Sequence, residues 1–335
     1  MEHIAIDLGG RESQICVRAA DGTILEECRL ATPDLPRYLV SRPPARAILE
    51  TCAESGWVAA AGQAAGHDVR VVPAGLVRML GVGARRTKSD QRDARALSAA
   101  SCRVELPSVH LASPTARARR TLCSTRDALV GARTQTINTV RGWLRQQGVR
   151  PRSGEAESFP PRVRAVCPTG LPPAIARQLD TIAHLTGQIA AANRELVELV
   201  RPDRVCQQLC SVPGVGPVTA TRFTATLDTP GRFPAAHTVG AYLGLVPGEH
   251  SSGDRHARLG ITKAGSSAMR TTLVQAAWAL RRARPNDPMV QWARRIERRR
   301  GRKIATVALA RKLSGVLYAL WRDGTVYDPA RATRP

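Results

Sequence analysis

His3-Ile4-Ala5-Ile6-Asp7-Leu8 opens the chain as a short β-rich run, and residues 13–19 and 23–30 repeat that character. Ala20-Asp21-Gly22 supplies a hairpin turn between the second and third runs. A helical stretch around residues 34–40 follows, then a fourth strand at 45–51, a helix at 55–65 and a fifth strand at 68–72. The order β-β-β-α-β-α-β, continued by helices, is an α/β pattern.

Three opening antiparallel strands, followed by parallel strands separated by helices, suit an RNase H-like sheet better than a doubly wound one. Beyond it the periodicity changes. Residues 113–147 read as one long helix, with Leu122, Leu129, Ile137, Val140 and Leu144 as an interrupted apolar stripe among many arginines. A Pro/Gly-rich break (148–173) precedes a second long helix at 174–200, and the pair suggests a helical hairpin or coiled coil. Helices are expected again at 266–283, 288–299 and 303–322, the middle one opened by Asn286-Asp287-Pro288. The expected architecture is α/β plus all-α: an acidic domain at 1–105, a helical hairpin at 106–203 and a mainly helical domain at 204–328.

Charge divides the chain in the same way. The 335 residues carry a net charge of +23, with 50 basic and 27 acidic side chains. Residues 1–100 hold 13 Lys/Arg against 12 Asp/Glu, so the excess lies beyond them. Base composition can favour arginine over lysine, but it does not thin out acids after residue 100. A cationic remainder of this kind is the footprint of a polyanion binder. No run of about 18 uncharged apolar residues suggests a membrane span. The first residues lack the pattern of a secretory signal, so a cytoplasmic protein is expected. The eight cysteines have no zinc-like pairing and read as buried free thiols in a reducing compartment.

Four acids stand out. Asp7 and Glu50 end the first and fourth strands, neighbours in an RNase H-like sheet, so both carboxylates emerge at one edge. Asp90 and Asp93, in Lys88-Ser89-Asp90-Gln91-Arg92-Asp93-Ala94, lie i, i+3 at the start of a predicted helix. Converging carboxylates repel unless a divalent cation sits among them. The plain alternatives are a strand-end turn residue for Asp7 and a dipole-complementing helix acid for Asp90. Farther on, Ser211-Val212-Pro213-Gly214-Val215-Gly216 has helix-hairpin-helix spacing. Gly214 and Gly216 there either expose backbone N–H groups to a phosphate or form a packing turn. Residues 246–265 read as a glycine-rich loop with paired serines and the cations Arg255, Arg258 and Lys263.

These residues resemble a known family. Ile4-Ala5-Ile6-Asp7, Ile48-Leu49-Glu50-Thr51 and the Lys88–Ala94 segment look like the D-E-D-D signature of insertion-sequence transposases with a RuvC-like N-terminal domain. Relatives of that family include pilin-gene invertases and bridge-RNA-guided recombinases. Ser211–Gly216, Tyr242-Leu243-Gly244-Leu245-Val246-Pro247, Ser251-Ser252-Gly253 and Ile261-Thr262-Lys263-Ala264-Gly265 match its second block in order. The resemblance implies that Asp7, Glu50, Asp90 and Asp93 bind Mg²⁺ (or Mn²⁺). It also implies that a C-terminal serine, placed at Ser252 by the Pro247-to-Gly253 spacing, attacks DNA to form a phosphoserine linkage. The implied partners are element-end and target DNA, a structured guide RNA and further copies of the chain. Ser251 is the competing nucleophile, and His250 and His256 are candidates for proton transfer. Family members carry Thr-Gly after the strand-four glutamate. This chain has Thr51-Cys52-Ala53-Glu54 instead, which makes Glu54 the alternative ligand.

Three other readings compete. An actin-like-fold small-molecule kinase shares the core sheet, and residues 4–10 with 21–25 resemble its phosphate-binding opening. Arg11 stands where a hydroxyl residue usually follows the paired glycines, however, and no second Gly-rich phosphate loop follows a later strand. A RuvC-like structure-specific nuclease without serine chemistry, and an inactive nucleic-acid-binding descendant, are the others.

Overall fold

The computed structural model describes residues 1–79, 90–252 and 255–330. They form two compact units, Met1–Ala112 and Ser113–Pro335.

The first unit is a mixed five-stranded sheet with helices. Its strands are β1 (His3–Asp7), β2 (Glu12–Arg18), β3 (Ile24–Ala31), β4 (Arg46–Glu50) and β5 (Asp68–Val72). Its helices are α1 (Leu35–Val40), α2 (Ser55–Ala64), α3 (Ala74–Met79) and α4 (Asp90–Arg103). The strand order is β3-β2-β1-β4-β5. β1 pairs antiparallel with β2 and parallel with β4, and β4 continues parallel to β5. Central strands are covered on both faces, so their side chains are apolar in unbroken runs. Ile4, Ala5 and Ile6 are fully buried, and Ala47, Ile48 and Leu49 nearly so.

Alternate residues serve opposite layers. Ile4, Ile6 and Leu49 pack with Leu35 and Leu39 of α1 and Val58 of α2. Ala5, Ile48 and Val72 pack with Leu97 of α4. The edge strand β3 is half exposed and carries Glu26, Glu27 and Arg29, charges that discourage edge-to-edge pairing. Between β1 and β2 the chain turns so tightly that a Cβ on Gly9 would lie 2.2 Å from the Glu12 carbonyl oxygen. Thr32 secures the turn by donating to the Gly9 carbonyl at 2.7 Å. Gly9 thus serves the tight turn between β1 and β2, while Gly10 has open space around its Cα.

Among its described residues, the regular structure of the second unit is helical apart from one hairpin. Its helices are α5 (Pro114–Gln146), α6 (Phe159–Val166), α7 (Pro173–Val200), α8 (Arg204–Cys210), α9 (Pro217–Leu227), α10 (Ala236–Tyr242), α11 (Ser267–Ala283), α12 (Pro288–Arg300) and α13 (Arg302–Asp323). Ser113 caps α5 by accepting from the Ala116 N–H, and Pro114 takes the first helical position, where no donor is missed. Along the hairpin Arg126 donates to Asn193 at 2.6 Å and Arg133 to Thr186 at 3.3 Å. Seven residues forward on α5 thus match seven back on α7, so the two helices are antiparallel neighbours. The buried line on α5 runs through Ala116, Cys123, Ile137, Val140 and Leu144, while Leu122 and Leu129 are half-buried. Buried Arg222 of α9 pairs with Asp127 of α5 at 2.8 Å and ties the hairpin to the C-terminal core.

α13 is long and apolar enough to cross a membrane by composition, but half of its most apolar window is buried. Leu309, Leu313, Leu317 and Tyr318 lie in the core of this unit, which makes α13 a core helix.

Two expectations are corrected. Residues 246–265 are not one loop. They contain an antiparallel hairpin, β6 (Pro247–Ser252) and β7 (Arg255–Ile261). β6 (PGEHSS) has no apolar alternation to announce it, and the alternation of Ala257, Leu259 and Ile261 along β7 is short and set among glycines and charges. The cysteines are all free, but only Cys16, Cys123 and Cys206 are buried, while Cys52 is exposed.

Candidate active site

Asp7 and Glu50 are the last residues of β1 and β4. The two strands run parallel, with Ile6 opposite Leu49, so the next residue on each leaves the sheet at the same edge. Side chains alternate along a strand. His3 reaches α4 through a 2.7 Å hydrogen bond between its Nδ1 and the Ser101 hydroxyl, and Ala5 packs with Leu97. Asp7, two residues beyond Ala5, therefore shares the α4 face. By the same alternation Glu50 follows Ile48 onto that face. Both acids are half-buried.

α4 supplies the third carboxylate. It runs antiparallel to β1: Cys102 lies at the Ala19 carbonyl, Ser98 at Cys16, and Arg95 pairs with Glu27, the residue opposite Cys16 on β3. From Ser101 back to Asp93 is roughly 12 Å of helix. From His3 forward to Asp7 is roughly 13 Å of strand. Asp93 is thus level with Asp7, and it is only 7% exposed, on the side of the helix that faces the sheet. Asp90, three residues earlier, is exposed. The i, i+3 spacing keeps the two aspartates adjacent, but tertiary packing gives them different surroundings. Arg95 holds α4 in place from its outer side, and its hydrogen bonds keep the Glu27 carboxyl below the usual range.

Carboxylate oxygens are hard donors of the kind that suit Mg²⁺ or Mn²⁺. Among the described residues, no three His, Cys, Asp or Glu side chains are gathered closely enough to hold one ion. Lys88 and Ser89 of the same motif lie outside the described residues. Glu54 immediately precedes α2, and its carboxylate accepts from the Trp57 indole at 2.5 Å.

In the second unit Ser252 is the last residue of β6 and pairs in register with Arg255, the first of β7. Ser251 pairs with His256, His250 with Ala257 and Glu249 with Arg258. Ser252 therefore stands at the end of a two-stranded arm. Gly253 and Asp254, and the side chains of residues 249–258, lie outside the described residues.

The root of this arm is clamped. Thr262 donates its N–H to the Val246 carbonyl at 2.9 Å, and Lys263 donates to Gly244 at 3.1 Å. Lys263 is exposed and has a φ of 57°, a conformation few non-glycine residues adopt. Gly265 (φ 65°) lets the chain pass the Tyr242 carbonyl, where a Cβ would sit 2.3 Å from the oxygen. Arg270 of α11 donates to the carbonyls of Leu243 (3.3 Å), Gly265 (3.2 Å) and Ala264. The sequence named Tyr242-Leu243-Gly244 and Ile261–Gly265 only as motif segments. Arg270 carried no signal, because its partners are backbone carbonyls.

Gly214 and Gly216 take different roles. Gly214 (φ 88°) sits against α11, where a Cβ would lie 2.6 Å from the Leu280 nitrogen and 2.7 Å from the Ala276 oxygen. It is a packing glycine. Gly216 has open space around its Cα and precedes α9 without a side-chain cap.

Acids at one sheet edge in the first unit, with nearly all the net positive charge in the second, make up the inventory of a protein that works on nucleic acid. Comparison with known families agrees. A profile of DEDD transposases of the IS110 type matches residues 4–148, and one described as the Transposase IS116/IS110/IS902 family matches residues 206–290. A probable family 20 transposase of Pseudomonas aeruginosa is 31% identical over 86% of this chain and 87% of its own length. The transposase for insertion sequence element IS1328 of Yersinia enterocolitica is 29% identical over 97% of this chain and 98% of its own. That for IS1111A of Coxiella burnetii is 32% identical over 70% and 66%. The chain belongs to the IS116/IS110/IS902 family of insertion-sequence transposases, enzymes that act on DNA.

Proposed function

We propose that this transposase cuts and rejoins DNA with Asp7, Glu50, Asp90 and Asp93 as ligands of Mg²⁺ (or Mn²⁺) and Ser252 as a covalent nucleophile. The observation that carries the reading is the placement of Asp7, Glu50 and Asp93 at one end and on one face of the sheet. The strand order β3-β2-β1-β4-β5, with antiparallel and parallel halves meeting at β1, supports an RNase H-like, RuvC-like domain.

The bound ion would supply positive charge to a phosphodiester under attack. Three of its ligands, Asp7, Glu50 and Asp93, stand on rigid elements, and burial of Asp93 limits its rotamers. Ser252 Oγ forms a bond to phosphorus as the bond to one deoxyribose oxygen breaks, and that oxygen leaves with the serine proton. One phosphodiester replaces another of similar energy, so rejoining needs no ATP. Arg255, Arg258 and Lys263 would screen phosphate charge, and the open turn at Gly216 would meet the DNA backbone. The clamp on residues 242–244 and 263–265 supports the reading by giving the arm a fixed base. A structured guide RNA and a homo-oligomeric assembly complete the proposal, with the enzyme working in the cytoplasm.

The test is incubation of the protein with element-end DNA and Mg²⁺, followed by peptide mapping of any covalent adduct. Ser252→Ala is expected to eliminate the adduct and retain DNA binding, and Ser251→Ala to leave activity. An adduct that maps to Ser251 in Ser252→Ala would reassign the nucleophile. Productive exchange with free ends and no adduct would establish water as the nucleophile, as in a structure-specific nuclease.

A further inference from the structure

The far end of the α5–α7 hairpin holds a cavity of about 420 Å³ whose lining includes Arg141, Arg145, Arg150, Arg152 and Arg162 but no acid. Local geometry builds it. α5 ends at Gln146, and Gly148, at a φ of 69°, reverses the chain. The Val149 N–H then returns to the Leu144 carbonyl at 2.9 Å, which leads Arg150 and Arg152 back past the last turn of α5. Phe159, 1% exposed, contributes to the lining from the start of α6.

The arginines divide by role. Arg162 holds the connection together: it donates to the carbonyls of Ser158 (3.1 Å), Glu155 (2.6 Å) and Arg152. Arg141 lies over the Phe159 ring at 5.4 Å from its centroid. Among the described residues, Arg141, Arg145, Arg150 and Arg152 have no acidic partner, and all four are exposed. Of the nearby acids, Glu157 is taken by Arg133 at 2.8 Å and Glu155 does not line the cavity. A cation near a helix C-terminus is ordinarily explained by the helix dipole. That accounts for Arg145, in the last turn, but not for three further guanidiniums converging from a loop and a preceding turn.

We infer that this cavity is a binding site for consecutive backbone phosphates of a nucleic-acid strand. The inference rests on the nucleic-acid reading above and locates one contact of it. Guanidinium forks match phosphate oxygens in pairs. Four unpaired positive charges exceed what a single phosphate neutralises, whereas neighbouring phosphates along a strand present charge at the density required. The Phe159 ring is covered by Arg141 and Arg162, so no aromatic face is offered to a base. The site therefore reads backbone rather than sequence.

The experiment uses the full chain and two random-sequence probes, a DNA duplex and an RNA hairpin, each titrated over a range of salt. The variant is Arg141→Gln/Arg145→Gln/Arg150→Gln. Its control, Arg177→Gln/Arg194→Gln/Arg204→Gln, removes three other exposed arginines of the same unit. Each lost phosphate contact changes the log–log salt slope by about 0.7 to 0.9, so the pocket variant is expected to be shallower by about two to three units on the strand it holds. The control should change less, and Lys at the three pocket positions should restore the slope. The probe that responds identifies whether DNA or RNA occupies the site. If wild type binds with a steep slope but the pocket variant loses no more than the control on either probe, the site is disproved. If wild type shows no salt-dependent binding, the nucleic-acid reading itself falls.

Discussion

Gly244 and Ala264 are in backbone-to-backbone contact: a Cβ on Gly244 would lie 2.3 Å from both the nitrogen and the oxygen of Ala264. Gly244 also has a φ of 66°, so an L side chain is disfavoured twice over at this position. The relationship joins the end of α10 to the chain leaving β7 and fixes the root of the arm that carries Ser252. Gly244→Ala is expected to destabilise the second unit by about 2–4 kcal/mol and to reduce strand exchange more than DNA binding. Thermal unfolding together with an exchange assay checks this. An Ala variant of wild-type stability would mean that the contact opens at no cost.

Removing one carboxylate from the sheet edge tests the metal site. Asp93→Asn keeps the size of a buried side chain and removes its charge. DNA strand exchange is expected to fall about a hundredfold or more, the scale of losing one positioned catalytic group, with the protein folded and DNA-bound. EDTA should have the same effect on wild type. Full activity in either case would remove the metal from the mechanism.

Charge distribution predicts where DNA affinity resides. Residues 113–335 carry nearly all of the +23 net charge. Binding of the full chain to duplex DNA should weaken steeply with salt, by about 0.9 in log–log slope per neutralised phosphate. A fragment of residues 1–112 that bound DNA as tightly as the full chain, in a filter or polarisation assay, would contradict this.

Acid should loosen the second unit through Asp203. Burial alone would raise its carboxyl, but the Cys206 N–H at 2.9 Å and the Arg119 guanidinium outweigh burial and hold it below the usual value. A depressed carboxyl stabilises the fold fully above its unfolded pKa of about 3.9, and that stability is lost as pH falls through the folded value. Asp203→Asn retains a helix-capping oxygen but not the charge. It should cost about 1–2 kcal/mol at neutral pH and flatten the acid limb of stability below about pH 4. Parallel acid limbs for the two proteins in denaturant titrations would assign the acid sensitivity elsewhere.

The sequence by itself determined whatever depends on neighbours a few residues apart. The apolar runs of β1 and β4, the Ser113-Pro114 start of α5 and the Asp287-Pro288 start of α12 act through local sterics and local hydrogen bonds. They marked the elements within a residue or two. The shared edge of Asp7 and Glu50 was legible too, because a strand's period of two and a parallel pairing fix where its end points.

Tertiary structure alone decided the rest. Asp90 and Asp93 look equivalent in sequence, yet packing of α4 on the sheet buries one and exposes the other. Gly214 could equally have met a phosphate, but it is pressed against Leu280, far along the chain. In the hairpin at 247–261 the first strand offers no apolar alternation and, among the described residues, only Ile261, at the end of the second, packs against the core, so its composition looked like that of a loop. Its root is set by Gly244, Gly265 and Arg270 through contacts with backbone atoms. Backbone carbonyls are chemically the same at every residue, so a partner that recognises them leaves no trace in the sequence of what it will bind.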